Sequence, residues 1–223
     1  MSVWIKICGN TSLADARLAV EAGADAVGFV LAPSPRQVSV AETASICSHL
    51  PDKIERIGVF VDAGLEEIYA AVRACGLSGV QLHFDAAADF PARLRERLGT
   101  WVRILRVVHF DTQQTERASQ QVAEHAWNLH LDGVLVDSRT ATAVGGTGVA
   151  FDWGEARRTI FSDMGTLRLI AAGGLNPNNI AEAISTLQPW GVDVVSGVES
   201  APGRKDAWKV REFVARVRAV PPF

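Results

Sequence analysis

The chain has 223 residues, 48% of them hydrophobic and 21% charged, with a formal net charge of −3 at pH 7. That composition can bury a full core and excludes an intrinsically disordered chain. No basic face stands out, which argues against a nucleic-acid partner, and no apolar run reaches the length that spans a bilayer. The three cysteines, Cys8, Cys47 and Cys75, are scattered and form no CxxC pair, so neither a disulfide framework nor a cysteine zinc site is expected. Met1–Asn10 carries no extended apolar signal core, and the expectation is a soluble protein of a reducing compartment, the cytoplasm.

In chain order, short β-branched runs predict strands over Val3–Cys8, Ala26–Leu31, Arg56–Val61, Gly79–His83, Val102–Val108, Gly133–Asp137, Leu167–Ala172 and Val192–Ser196. Between and after them, helical apolar spacing predicts helices over Ser12–Ala22, Val40–His49, Leu65–Ala74, Phe90–Leu98, Thr115–Leu129, Trp153–Ile160, Pro177–Leu187 and Ala207–Val217. Thr11 or Ser12 can cap the first helix and Gly23 can end it, while Gly76 and Gly99 sit where two others should stop. Asn176-Pro177 places an N-cap before a proline at the first helical position. Strict βα alternation implies a parallel sheet with helical crossovers. About eight such units in this length favour an α/β fold of the closed (β/α)₈ TIM-barrel kind, one domain over residues 1–223, ahead of a doubly wound open sheet.

A barrel directs attention to the C-terminal ends of its strands, where active sites of this fold lie. On the first strand Trp4, Lys6 and Cys8 share one face, and Ile5 and Ile7 the other. The isoleucines suit packing against helices, which points Lys6 and Cys8 into the barrel. An isolated cysteine is ordinarily a small buried apolar residue. At a strand end beside Lys6 it reads instead as a thiol whose pKa the cation lowers. Asp137 ends the sixth strand's apolar run, and the residues after it, from Ser138 and Arg139 to Gly148, include Gly145-Gly146-Thr147-Gly148, a flexible stretch suited to covering a site. Arg36 follows Pro33 and Pro35 and offers a planar fork for a carboxylate or phosphate; a solvated loop arginine is the plain alternative.

Ala172-Gly173-Gly174-Leu175 and Ser196-Gly197-Val198-Glu199 follow the seventh and eighth strands, the frequent phosphate site of this fold. Glycines there let backbone N–H groups approach an anion. Gln81 and His83 share a face of the fourth strand, as satisfied core groups or as substrate contacts. His125 and His130 lack metal-ligand spacing, so no metal is expected. Gly146-Thr147-Gly148 does not complete a dinucleotide fingerprint, because Phe151 stands at the third glycine position.

Taken in order, Lys6-Ile7-Cys8-Gly9, Gly28-Phe29-Val30 through Ser34-Pro35-Arg36, Gly58-Val59-Phe60-Val61 and Gln81-Leu82-His83 resemble successive motifs of the phosphoribosylanthranilate isomerase family. So do Asp137-Ser138, Gly145-Gly146-Thr147-Gly148, Ala172-Gly173-Gly174-Leu175-Asn176-Pro177 and Asp193-Val194-Val195-Ser196-Gly197-Val198-Glu199 through Lys205-Asp206. The resemblance covers essentially the whole chain. It implies a (β/α)₈ barrel and an Amadori rearrangement of a phosphorylated small molecule, which involves no redox step or group transfer and so needs no cofactor; monomer and homodimer are both left open. It implies Cys8 as general base and Asp137 as general acid, Arg36 on the anthranilate carboxylate, and phosphate on Gly173, Gly174, Ser196 and Gly197. Lys6, Gln81, His83 and Asp193 join the candidate substrate contacts. The family usually has glycine where this chain has Phe84, which would narrow the pocket or reshape the loop. Two other readings remain: another phosphate-binding barrel, such as an indole-glycerol-phosphate synthase relative or a sugar-phosphate epimerase, and a non-catalytic barrel that binds a phosphorylated ligand.

Overall fold

Side-chain alternation along eight short strands builds the molecule. The computed structural model describes residues 2–110, 115–137, 152–161 and 167–223. The strands are β1 (Trp4–Ile7), β2 (Ala26–Val30), β3 (Glu55–Phe60), β4 (Gly79–Leu82), β5 (Arg103–His109), β6 (Gly133–Asp137), β7 (Leu169–Ala172) and β8 (Gly191–Val194). They pair in parallel in sequence order and close into a barrel, with β1 against β8. The intervening helices are α1 (Leu13–Ala22), α2 (Val40–Cys47), α3 (Leu65–Cys75), α4 (Phe90–Leu98), α5 (Thr115–Ala126), α6 (Trp153–Thr159) and α7 (Ile180–Leu187), and α8 (Ala207–Ala219) follows the last strand. The barrel foreseen from βα alternation is therefore present, and the open sheet is not.

Ile5 and Ile7, with Val27, Phe29, Val80, Leu82, Val134, Val136 and Val192, pack outward in the layer beneath the helices. Trp4, Ile57, Leu105, Leu135 and Ile170 point the other way and fill the lower barrel as a separate cluster. The end of the barrel where the strands begin is plugged by Trp4 stacked on Trp190, ring centroids 5.2 Å apart. Arg103 lies over both rings, 5.8 Å and 5.2 Å from the two centroids, and is held by Glu55 through bonds of 2.7 and 2.9 Å. Gly191 makes room for this stack: a Cβ there would come within 2.9 Å of the Trp4 ring.

Most boundaries agree with the sequence to within two residues. Ser12 caps α1 by accepting from the Asp15 amide, and Gly23 ends it in the left-handed region at φ 97°. Helix α5 ends at Ala126, three residues short of the expected Leu129, and two further departures have local causes. Helix α7 begins at Ile180, three residues past Pro177, because Asn179 accepts from the Asn176 amide and closes a turn over 176–179 first. Ser196 does not continue β8; it opens a short 3₁₀ turn, Ser196–Val198, and a hairpin of β9 (Glu199–Ala201) and β10 (Arg204–Lys205) follows. The stretch proposed as a cover, with Ser138, Arg139 and Gly145 to Gly148, lies outside the described residues. Among the described residues, no helix is long and apolar enough to cross a membrane.

Gly191→Ala is expected to overpack the plug, at a cost of about 1–3 kcal/mol. For a chain of this size that is a fall in melting temperature of roughly 2–4 °C per kcal/mol. An unchanged melting temperature would show that the Trp4 stack does not constrain the barrel floor.

Candidate active site

Lys6 is fully buried inside the barrel, and a cation there is tolerated only with close partners. Its ammonium donates to Asp193 Oδ1 and Gln81 Oε1, each at 2.8 Å. Asp193 is its register partner across the β1–β8 seam. Burial opposes the charge, but Asp193 and the neighbouring Cys8 outweigh it and hold the lysine pKa above its ordinary value.

Cys8 lies one residue beyond β1 yet continues the ladder, its amide donating to the Val194 carbonyl at 2.9 Å. Its side chain fits because position 28 is glycine: a Cβ on Gly28 would lie 2.5 Å from Cys8 Sγ and 3.0 Å from Lys6 Cε. The expected lowering of the thiol pKa is not what the site produces. Burial pushes the Cys8 thiol up, and the opposing pull of Lys6 is too small to reverse it. Cys47 and Cys75 are buried as free thiols too. Burial drives Cys47 up to about 12, and no lysine lies among the causes acting on either.

A second buried cation, missed in the sequence, supports Cys8 from behind. Lys205 on β10 donates to the Cys8 carbonyl at 2.6 Å, to the Val195 carbonyl at 3.3 Å and to Glu199 Oε1 at 3.2 Å. Burial lowers its pKa despite Glu199. Glu199 in turn grips Arg36 through Nε at 2.8 Å and Nη2 at 2.7 Å. Burial works against the Glu199 charge, but the Arg36 bonds and Lys205 hold its pKa below the carboxylate range. The fork of Arg36 read as open for a ligand is thus already engaged on one edge; Nη1 has no partner among the described residues. The Arg36 stem lies over Gly9, whose hypothetical Cβ would meet Cδ at 2.9 Å.

Across the barrel mouth, Asp137 is buried at the end of β6, and His109, exposed at the end of β5, is its register partner. His83, half-buried past the end of β4, puts its ring 5.2 Å from that of His109. The fifth strand runs one residue past the expected Val108 and so carries His109, which shares parity with Leu105 and Val107. Phe84 turns the other way and packs edge-on against Phe90 of α4 at 5.7 Å, in the layer between sheet and helices. It does not narrow the mouth.

Gly173 and Gly174 follow β7 with φ of 82° and 63°, a left-handed pair that suits glycine. The Gly174 carbonyl is tied back by Asn179 Nδ2 at 3.0 Å and Asn176 Nδ2 at 3.2 Å. Gly197 packs so closely on the Leu175 carbonyl that any Cβ would collide with it. Asp137, Gly173, Gly174, Asp193, Ser196 and Gly197 line one cleft. The structure therefore brings together the two glycine loops, Asp137 and the Lys6–Asp193 pair, with Cys8 on the adjoining strand end. Arg36 packs on Gly9, next in sequence to Cys8, and is not among the residues that line the cleft.

Residues 5–216 match the family described as N-(5'-phosphoribosyl)anthranilate isomerase. The N-(5'-phosphoribosyl)anthranilate isomerase of Geotalea uraniireducens is 40% identical over 217 residues, covering 97% of this chain and 98% of that one. Among solved structures, a phosphoribosylanthranilate isomerase in complex with reduced 1-(o-carboxyphenylamino)-1-deoxyribulose 5-phosphate superimposes with a TM-score of 0.82 at 33% identity, over 96% of this chain and 98% of that one. Monomers generated from the dimeric phosphoribosylanthranilate isomerase of Thermotoga maritima give a TM-score of 0.81 at 33% identity and the same coverage. On this identity and coverage, the chain belongs to the N-(5'-phosphoribosyl)anthranilate isomerase family.

Proposed function

We propose that the chain converts N-(5-phosphoribosyl)anthranilate into 1-(2-carboxyphenylamino)-1-deoxy-D-ribulose 5-phosphate, an Amadori rearrangement in tryptophan biosynthesis. The observation that carries this is the single cleft that joins a carboxyl group, Asp137, to two glycine loops, beside a thiol backed by a charged lysine. Phosphate sits on the amides of Gly173, Gly174, Ser196 and Gly197; a short 3₁₀ turn after β8 is a recurrent part of phosphate sites in barrels. Asp137, protonated, delivers its proton to the ribose ring oxygen, and the C1–O bond breaks to leave a Schiff base. The Cys8 thiolate then removes the proton from carbon 2, giving an enolamine. Carbon 1 regains a proton as the carbon 2 hydroxyl becomes the ketone. One carbon is oxidised as its neighbour is reduced, so the electrons balance within the substrate.

Burial makes the Cys8 thiolate a minority form and correspondingly a stronger base, with Lys6 at hand to stabilise it when it forms. Gln81 and Asp193 hold Lys6 and border the substrate, with His83 beside Asp137. Arg36, fixed by Glu199, offers its remaining Nη1 edge to the anthranilate carboxylate. Residues 1–223 form one domain, which works as a cytoplasmic monomer or homodimer on a small phosphorylated substrate, with no nucleic-acid or membrane partner. Three buried free thiols support a reducing compartment. The direct test is fluorescence-monitored consumption of phosphoribosylanthranilate by purified protein; no consumption overturns the reading, including in favour of a non-catalytic barrel.

Cys8→Ser should lower turnover by a factor on the order of 10² or more, with folding barely changed. Turnover like that of the parent protein in this variant rules out Cys8 as the base. Gly28→Ala should push the thiol aside, and such a displacement can reduce turnover roughly 10²-fold; full activity would show that the thiol position is not critical. Arg36→Met should raise KM far more than it lowers kcat, by roughly 1.5–3 kcal/mol of charge-assisted hydrogen bonding. Steady-state kinetics decide it, and an unchanged KM removes Arg36 from carboxylate recognition.

A further inference from the structure

We infer that His83, His109 and Asp137 form a binding site for a late first-row divalent cation such as Zn²⁺, and that its occupation switches the enzyme off. Among the described residues, the ligand atoms of these three side chains lie within 4.8 Å of one another. They stand on the ends of three adjacent strands, β4, β5 and β6. His109 and Asp137 face each other in register, and the His83 amide is held in the ladder by the Phe60 carbonyl at 2.9 Å. The backbone thus fixes all three positions, and only side-chain rotation is needed to close the site.

The donor set selects the ion. Two imidazoles and one carboxylate suit zinc and its first-row neighbours, whereas magnesium and calcium want oxygen ligands. Tetrahedral zinc with bonds near 2.0–2.2 Å draws its ligand atoms to about 3.4 Å apart. From 4.8 Å that is a small rotation of two imidazole rings. The two rings meet edge-to-face, at an interplanar angle of 60°, so they are not locked in a stack. Exposure falls from His109, exposed, through His83 to Asp137, which is buried, giving the ion a path inward from solvent. His83 and Asp137 have other partners in the structure, which the ion would displace.

The inhibition rests on the proposed role of Asp137: a carboxylate bound to a cation cannot hold the proton that opens the ribose ring. The binding itself does not rest on that role. His109 has no part in the proposed reaction, which makes it the residue to change. The experiment titrates purified protein with Zn²⁺ alone, in competition with a chromophoric chelator, and with Co²⁺ read by its absorption spectrum. The parent protein should bind one ion per chain, and His109→Ala should weaken binding roughly 10-fold or more, as loss of even a supporting group does at such sites. Zinc should inhibit the parent protein reversibly, and His109→Ala should keep its metal-free activity while resisting zinc by a similar factor. Equal zinc affinity in the two proteins, or a thiolate-to-cobalt charge-transfer band pointing to the cysteines, overturns the proposal. Because binding is read without substrate, a chain that binds zinc through His109 but turns over no phosphoribosylanthranilate supports the metal site and counts against the isomerase reading alone.

Discussion

A lysine ammonium with no exposed surface sits at the seam where the barrel closes, and the site is built around keeping it charged. Left alone, such a charge would shed its proton or unfold its surroundings. Asp193, its register partner, and Gln81 from β4 supply two short hydrogen bonds and keep the proton on. The requirement places an aspartate and a glutamine in the barrel interior, where packing alone would prefer Val or Ile. It also sets the neighbourhood of Cys8, the one thiol in the chain with a lysine ammonium among the influences on its pKa.

The same logic is repeated once at the rim. Lys205, reached only after the chain has turned through the β9–β10 hairpin, is buried against Glu199 and ties down the Cys8 and Val195 carbonyls. Residues almost two hundred positions apart thereby fix the end of β1, and Glu199 passes the constraint on to Arg36. Two cations and two carboxylates enclose Cys8 from below and behind. The glycine loops, Asp137 and Asp193 line the cleft.

The architecture was largely legible because strand parity is a local property. Ile5 and Ile7 facing out and Lys6 facing in follow from period two alone, as does the pairing of Gln81 with the barrel interior. The glycine loops and Asp137 were legible because the fold dictates where its chemistry lies. What could not be read was the balance of opposing effects. Proximity of Lys6 to Cys8 suggested a lowered thiol pKa, and only the depth of burial shows that desolvation wins. Arg36 was visible as an arginine, but its engagement by Glu199 depends on a hairpin with no periodic signature. The start of α7 was misplaced because Asn179, not Pro177, decides the local turn. His109 lies one residue beyond the apolar run that marks the fifth strand, so the strand pattern alone does not reach it.

Burial, not the neighbouring cation, decides the protonation of Cys8. This is tested most directly by titrating thiolate absorbance against pH and subtracting the same titration of Cys8→Ser, which cancels Cys47 and Cys75. The difference should appear only above the ordinary cysteine range, and should move higher still when Lys6 is replaced by methionine. A Cys8 thiolate already formed at neutral pH would contradict it.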